Sequence, residues 1–277
     1  MPDSLAGMTD TAAPHSETTR ILYFDIENSP ALGWTWGKYD QNVLGFEQQP
    51  YMLAASWMWE TVAPDGTSKV GKPQVKALCD FDGYDPDAAD DSALVGFCLE
   101  LLDSADVVIG HNLDAFDIRK VNGYALRCRP ELGPPSPYLT VDTLKVARRF
   151  FSFPSNRLGD LCELLELPAK ETPGGFGLWL RCMAGDAKAW RTMKSYARQD
   201  AAILRPLYLR LRPWMSNHPV LVVDPDEFRC PTCASADVHR RGVKRTKAGG
   251  RFQQWHCRAC GSYSRTRVSD GVRPKLV

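Results

Sequence analysis

Hydrophobic and polar positions divide this chain into short apolar runs and longer amphipathic stretches. Apolar runs rich in aromatic and β-branched residues, each closed by turn residues, predict strands at 20–27, 51–60, 75–81, 106–110 and 138–142. Apolar residues at helical spacing predict helices at 89–103, 115–128, 143–151, 157–166 and 187–211. Pro206 leaves two interpretations of the last stretch open, one long helix or two helices that meet there.

The order of these elements predicts the fold class. Three strands are followed by helix, strand, helix, strand and then helices, which indicates an α/β protein with a mixed sheet flanked by helices. Glycine and proline make 168–177 a loop, and 31–49 lacks a clear period, as in a loop or an irregular hairpin. The predicted organisation is a disordered leader at 1–19, a main domain at 20–212, a linker at 213–228 and a small module at 229–277.

Composition narrows the class of protein. The chain is 44% hydrophobic and 24% charged, as is typical of soluble globular proteins. None of its apolar runs approaches the roughly 20 residues of a membrane helix, so we expect no membrane partner. The N-terminal residues lack the basic start and apolar stretch of a secretory signal, so we expect the cytoplasm.

Four of the nine cysteines predict a metal site. The other five lie singly among apolar residues and are expected in the core: Cys79, Cys98, Cys128, Cys162 and Cys182. Cys230 and Cys233 form one Cys-x-x-Cys pair, and Cys257 and Cys260 form another after a gap of 23 residues. Two such turns supply four thiolates to one tetrahedral Zn²⁺, and a hairpin around Gly249 would join them. We therefore predict a zinc ribbon.

Charge is divided unevenly between the two parts of the chain. Residues 1–228 contain 22 Lys and Arg against 31 Asp and Glu, whereas residues 229–277 contain 12 against 2. Trp255, Phe252 and Tyr263 are interleaved with the basic residues of this second part. Cations and aromatic rings suit phosphate contact and base stacking, so we expect the ribbon to bind nucleic acid. The alternative is a protein-docking ribbon with a solvated basic face.

Scattered acidic residues are the second candidate for chemistry. Asp25 and Glu27 are two apart at the end of a predicted strand, so they share one face. Asp117 follows the next buried strand, and Tyr196 and Asp200 share a helix face four residues apart. Each of these motifs alone has an ordinary explanation as a strand end, a helix cap or a surface pair. Together, carboxylates on separate elements can converge on divalent cations.

The three motifs, in this order, resemble those of the DEDD superfamily of 3′–5′ exonucleases over roughly residues 20–212. Asp25 and Glu27 match the first motif, and Asn112, Phe116 and Asp117 match the second. The third, Tyr-x-x-x-Asp, is matched by Tyr196 and Asp200. Ser195 stands where the histidine subclass has its histidine, which favours the tyrosine subclass. The pattern is most similar to the proofreading domains of family B DNA polymerases.

The resemblance implies a ribonuclease H-like fold and a two-metal-ion exonuclease. Two Mg²⁺ or Mn²⁺ ions would be held by Asp25, Glu27, Asp117 and Asp200. Tyr196 would orient the attacking water, and the substrate strand would contact Asn112 and Phe116, the latter by stacking or else serving only as core. Within this pattern Asp142 is expected to act as a helix cap, and His111 and Asp114 to be structural.

Several choices stay open at this point. We expect DNA rather than RNA as the substrate and replication or repair proteins as partners, but an RNA-trimming exonuclease is an alternative. Another alternative is a non-catalytic nucleic-acid-binding ribbon protein on a nuclease-like scaffold. Four aromatic residues in 31–49 either line a nucleic-acid groove or cover the sheet, and we expect the second: Trp34, Trp36, Tyr39 and Phe46.

Overall fold

A six-stranded mixed sheet forms the centre of the larger part of the protein. The computed structural model describes residues 18–39, 41–168, 175–222 and 227–271. The strands of this sheet are β1 (Thr19–Asn28), β4 (Met52–Val62), β5 (Ser68–Val70), β6 (Gln74–Ala77), β7 (Val107–Gly110) and β8 (Leu139–Asp142). Their order is β5-β4-β1-β7-β8, with β6 also paired to β4. Strand β1 runs antiparallel to β4 and parallel to β7, which is itself parallel to β8.

Helices pack on this sheet and confirm the predicted α/β class. They are α1 (Ser92–Asp103), α2 (Asp117–Cys128), α3 (Thr143–Phe150), α4 (Leu158–Leu164), α5 (Gly177–Met183) and α6 (Ala187–Leu211). The predicted strands and helices occur with ends shifted by a few residues. Helix α5 was not predicted, because it is short and follows a glycine-rich stretch. None of the described helices is both long enough and apolar enough to span a membrane.

Both faces of β1 are buried, which explains its nearly continuous apolar sequence. Leu22, Phe24 and Ile26 belong to one hydrophobic core, on the side of α1 and α2. Ile21 and Tyr23 belong to a second core, on the other face. Because neighbouring side chains of a strand alternate in direction, β1 anchors both cores and is fixed in position.

Helix α6 is one continuous helix that contains Pro206, so the interpretation with a break at Pro206 is wrong. A proline in a helix interior costs roughly 3 kcal/mol. Leu204 and Leu207, on either side of it, are fully buried in the second core and hold both halves in line. Arg205 adds two hydrogen bonds of 2.8 and 3.0 Å to the carboxylate of Glu60 in β4.

The C-terminal module is a small antiparallel sheet. Its strands are β9 (Val238–Arg245), β10 (Arg251–Cys257) and β11 (Tyr263–Arg265), in the order β11-β10-β9. The hairpin between β9 and β10 turns at Gly249, as expected from the sequence.

The predicted linker is packed against the larger domain in its described part. Leu221 and Val222 are buried in the second core, and Ala234 of the module joins them there. Arg229 donates a hydrogen bond of 2.9 Å to the carbonyl oxygen of Asp65 in the β4–β5 turn. The ribbon therefore sits on the main domain. The predicted leader lies almost wholly outside the described residues, and its last residue, Thr19, already belongs to β1.

The segment predicted as a loop or irregular hairpin is a two-stranded hairpin. It consists of β2 (Leu32–Trp34) and β3 (Gly45–Gln48), which pair with each other and not with the central sheet. Its aromatic residues are exposed, Trp36 by 87% and Trp34 by 65%. The expectation that these aromatics cover the sheet is therefore wrong, because the hairpin presents them to solvent.

Candidate metal centres

Two of the predicted acids stand at the end of β1. Asp25 and Glu27 are half-buried, and the intervening Ile26 is buried in the first core. The alternation of the strand thus directs both carboxylates to one face and the apolar side chain to the other. Strand β7 pairs with β1 only as far as Tyr23, so both acids lie beyond the end of that pairing.

Asp200 reaches the same place from α6. It is 2% exposed, and α6 packs directly on β1 and β4. One ligand oxygen from each of Asp25, Glu27 and Asp200 lies within 4.8 Å of the others. Carboxylates from two elements up to 175 residues apart in the chain are thereby brought together.

Asp117 lies beside this triad, bonded to its backbone. Its Oδ1 accepts a hydrogen bond of 3.1 Å from the N–H of Ile26, the residue between Asp25 and Glu27. Burial raises the pKa of Asp117 to about 7, although the Ile26 N–H opposes that shift. Asp117 is not itself within the group of three, so the structure assembles three of the four predicted acids and tethers the fourth next to them.

Tyr196 lies one turn before Asp200 on α6 and is half-buried. Its ring contacts that of Trp179 edge-on, with 6.1 Å between centroids and 74° between planes. Trp179 belongs to α5, the helix that was not predicted from the sequence. Residue patterns gave no signal for this contact, because α5 is short and its glycine-rich start resembles a loop.

The loop between β7 and α2 carries the remaining motif residues. Its backbone is held by Asp142, whose carboxylate accepts the N–H of Asn112 at 3.0 Å and of Asp114 at 3.3 Å. Asp142 also caps α3 through Leu144, as expected for a helix cap. Phe116 is 39% exposed at the start of α2, so its interpretation as a core residue is wrong.

His111 is structural, as expected. Its ring nitrogens lie 2.9 Å from Thr143 Oγ1 and 2.9 Å from the carbonyl oxygen of Asn156. Asp114 forms an ion pair with Lys145 at 2.6 Å. Both residues therefore serve to hold the loop and do not join the acidic triad.

The donor set of the triad fits a hard divalent cation. Carboxylate oxygens are the ligands that Mg²⁺ and Mn²⁺ prefer. Asp117 is 2% exposed, so negative charge in this place is poorly solvated. A bound cation would relieve that cost, so the residues present could bind a metal.

The four cysteines of the ribbon form the second centre. All four sulfur atoms lie within 4.8 Å of one another. Cys230 Sγ is 3.7 Å from Cys260 Sγ, and Cys233 Sγ is 3.6 Å from Cys257 Sγ. A tetrahedron with Zn–S bonds of about 2.3 Å requires sulfur separations of about 3.8 Å. The cluster therefore has dimensions that could hold a zinc ion.

The two cysteine turns have the same backbone geometry. The N–H of Ala234 donates to the carbonyl oxygen of Cys230 at 2.8 Å, and that of Gly261 to Cys257 at 3.0 Å. Both residues that follow the second cysteine have positive φ, 61° for Ala234 and 78° for Gly261. These matched turns direct four thiol groups to one point.

Arg212, at the end of α6, is a functional candidate that the sequence did not reveal. Burial alone would lower the pKa of its guanidinium, but Tyr208 and the thiols of Cys260 and Cys233 raise it above the usual value. Four thiolates around Zn²⁺ carry two net negative charges, so a cation beside them is electrostatically favourable. Arg212 thus places a positive charge near the cysteine cluster, at the end of the helix that carries Asp200.

Neither a scan against models of protein families nor a search of curated proteins finds a match to this chain. The function is therefore argued from the geometry of the two centres and from the motifs.

Proposed function

We propose that this chain is a metal-dependent 3′–5′ exonuclease that hydrolyses the terminal phosphodiester bonds of nucleic acid, with DNA as the expected substrate. One observation carries the proposal. Asp25 and Glu27 of β1 and Asp200 of α6 place ligand oxygens within 4.8 Å, with Asp117 bonded between the first two. A mixed sheet whose central strand ends at these acids also supports a ribonuclease H-like fold.

The carboxylates would hold the catalytic metals. Asp25, Glu27 and Asp200 form the converging set, and Asp117 completes the four acids that a pair of ions needs. Two divalent ions at such a site supply an activated water and stabilise the leaving 3′ oxygen. The position of Tyr196 one turn from Asp200 suits its hydroxyl to orient that water, since a hydroxyl both donates and accepts a hydrogen bond.

Two residues of the β7–α2 loop are suited to hold the substrate strand. Phe116 presents an exposed ring directly before Asp117, and an exposed ring can stack on a terminal base. Asn112 lies in the same loop, whose backbone is held by the hydrogen bond from the Asn112 N–H to the Asp142 carboxylate. Because the loop is rigidly bonded, both side chains would approach the strand from a constant position.

The ribbon would tether the polynucleotide, with Zn²⁺ as its structural metal. A three-stranded sheet of this size has little core of its own, so four-thiolate coordination would stabilise it. Its basic residues would contact phosphates, and the larger acidic domain would supply the chemistry.

The proposal is tested by incubating the purified protein with 5′-labelled single- and double-stranded DNA and RNA, with Mg²⁺ or Mn²⁺ or neither. We expect a ladder that shortens from the 3′ end only when a divalent ion is added. Asp25→Ala and Asp200→Ala should each abolish the ladder, whereas Glu163→Gln, an exposed acid on α4, should leave it unchanged.

Three results would contradict this proposal. Full activity in either alanine variant would refute the site. Cleavage restricted to RNA would identify an RNA-trimming enzyme. Tight binding without cleavage under every metal condition would favour the non-catalytic binding protein.

A further inference from the structure

A deep groove separates the ribbon from the segment that joins it to α6. Its cavity measures about 990 Å³. Its lining comes from segment 213–222, from residues 227–232 and from strands β9, β10 and β11 with the residues that follow. This volume lies at the upper end of the range of about 300–1,000 Å³ for ligand sites, so the groove can admit a chain of linked groups.

The groove is lined by positive charge. Among the described residues, its cations are Arg229, Lys244, Arg265 and Arg267, and its acidic lining residue is Glu227. Glu227 lies 2.8 Å from Arg229 and so neutralises that cation. Within the part of the chain that the structure describes, the other three have no carboxylate within 4.0 Å. Three exposed cations facing one cavity favour a polyanionic occupant.

Exposed aromatic rings line the same groove. Trp214 is 58% exposed, Phe228 67% and Tyr263 55%. Phe228 stacks on Trp255 with 4.8 Å between centroids and 20° between planes. Rings interleaved with cations are the arrangement that binds unpaired bases and their phosphates. In a duplex the base faces are already stacked, so these rings favour a single strand.

A second cavity adjoins the groove on the side of the β7–α2 loop. This cavity of about 160 Å³ shares Met215 and His218 with the groove and extends along β8 to Asp114 and Asp142. Those two residues hold the loop that carries Asn112 and Phe116. From Asp200 to the end of α6 the axial distance is roughly 16 Å at a rise of 1.5 Å per residue. A strand ending at the acids would therefore reach the groove after a few nucleotides.

We propose that this groove binds the single-stranded part of a polynucleotide upstream of its 3′ end. The phosphates contact Lys244, Arg265 and Arg267, and the bases stack on Trp214, Phe228 and Tyr263. The link to cleavage rests on the proposed exonuclease function, but binding itself does not require it.

Binding is measured by fluorescence anisotropy with the full chain in buffer free of Mg²⁺ and Mn²⁺. The probes are an oligothymidylate and an oligouridylate of about 15 nucleotides, near the upper end of single-strand site sizes. A duplex of equal length and a polyglutamate peptide complete the set. We expect both single strands to bind at least about 10-fold more tightly than the duplex or the peptide. The oligouridylate distinguishes a general strand groove from one that selects DNA.

A matched pair of triple variants tests the location. Lys244→Ala/Arg265→Ala/Arg267→Ala removes three groove cations, and Arg241→Ala/Arg245→Ala/Lys247→Ala removes three from β9 and its turn outside the groove. We expect the groove variant to reduce the steepness of the fall in log K for binding with log salt concentration by about 2, since each of the three lost single-strand phosphate contacts contributes about 0.7. The control should change it by less than about 1. One bound zinc per chain in each variant shows that the ribbon is intact.

A variant that removes one stacking ring and an assay of cleavage complete the test. Trp214→Ala should weaken oligothymidylate binding at least about 5-fold without changing the salt slope, because it removes a ring and no charge. With Mg²⁺ added, the groove variant should lose activity on a long single strand. It should retain activity on a dinucleotide, whose single phosphodiester bond lies at the acids and leaves no further phosphate or base to enter the groove.

The outcomes separate the two proposals. Equal loss of binding in both triple variants, tighter binding of the duplex, or equal binding of polyglutamate would each overturn the groove proposal. Binding as expected without any cleavage by the wild-type protein would overturn the exonuclease and leave the groove standing.

Discussion

Replacing Asp117 with asparagine should stabilise the metal-free protein while abolishing the proposed exonuclease activity. Burial raises the pKa of this carboxyl from 3.8 to about 7. The folded protein therefore binds a proton more tightly than the unfolded chain does, and stability must fall as the pH rises between those values. Asparagine carries no charge, and its Oδ1 can still accept the N–H of Ile26.

The size of the effect follows from the pKa difference. About three pH units at about 1.4 kcal/mol each give an upper bound of about 4 kcal/mol above pH 7. Water entry and relaxation reduce such penalties, so we expect Asp117→Asn to raise the free energy of unfolding by about 2–4 kcal/mol at pH 8. At pH 5 the gain should be roughly 40% of its value at pH 8, because the folded wild-type carboxyl is then largely protonated while the unfolded one is still ionised.

Urea denaturation from pH 5 to pH 8 measures the effect. The buffers omit Mg²⁺, Mn²⁺ and chelators, so that any metal bound by the four cysteines is retained and its own pH dependence cancels between the two proteins. Asp114→Asn, on the same loop but ion-paired at the surface, is the matched control and should change stability by less than about 1 kcal/mol. Adding Mg²⁺ should stabilise the wild type more than Asp117→Asn. A difference between the two proteins that stays constant with pH would refute the argument.

Three further predictions concern the packing and the proposed chemistry. Glu60→Gln, which removes half of a buried ion pair, should lower the free energy of unfolding by about 2–4 kcal/mol in urea at pH 7, unlike exposed Glu163→Gln. Burial would raise the pKa of Glu60, but its hydrogen bonds lower it. The difference in unfolding free energy between the wild type and Glu60→Gln should therefore narrow only as the pH falls below 4.5. Tyr196→Phe should keep the ring contact with Trp179 but lower kcat about 10- to 100-fold, with KM little changed, in single-turnover and steady-state assays. A kcat equal to that of the wild type would exclude the Tyr196 hydroxyl from the reaction. Cys257→Ser should reduce zinc to well below one per chain by mass spectrometry and lower the melting temperature, and retention of full zinc would contradict the four-sulfur site.

The sequence predicted most of the regular elements and all of the residues that converge. β1 could be predicted because both of its faces are buried and its sequence is accordingly apolar. The four cysteines could be predicted because the chemistry of zinc fixes their spacing within each turn. In both cases a local pattern carries the constraint.

What the sequence could not show depends on contacts between distant segments. Trp179 supports Tyr196 from a helix whose glycine-rich start resembles a loop. Arg212 looks like an ordinary terminal cation until the cysteine cluster is placed beside it. Proline residues made 213–228 resemble a linker, yet Leu221 and Val222 are buried. The exposure of Trp36 likewise depends on the position of its hairpin away from the central sheet and not on the residues beside it in the sequence.

The seam formed by Leu221, Val222 and Ala234 has a practical consequence for anyone who shortens the gene. A product ending near residue 220 would expose the apolar flank of α6 to water, and its aggregation would be easy to mistake for catalytic failure. The proposed binding and hydrolysis are better separated by point substitutions of exposed groove residues such as Lys244 and Trp214, which leave that seam closed.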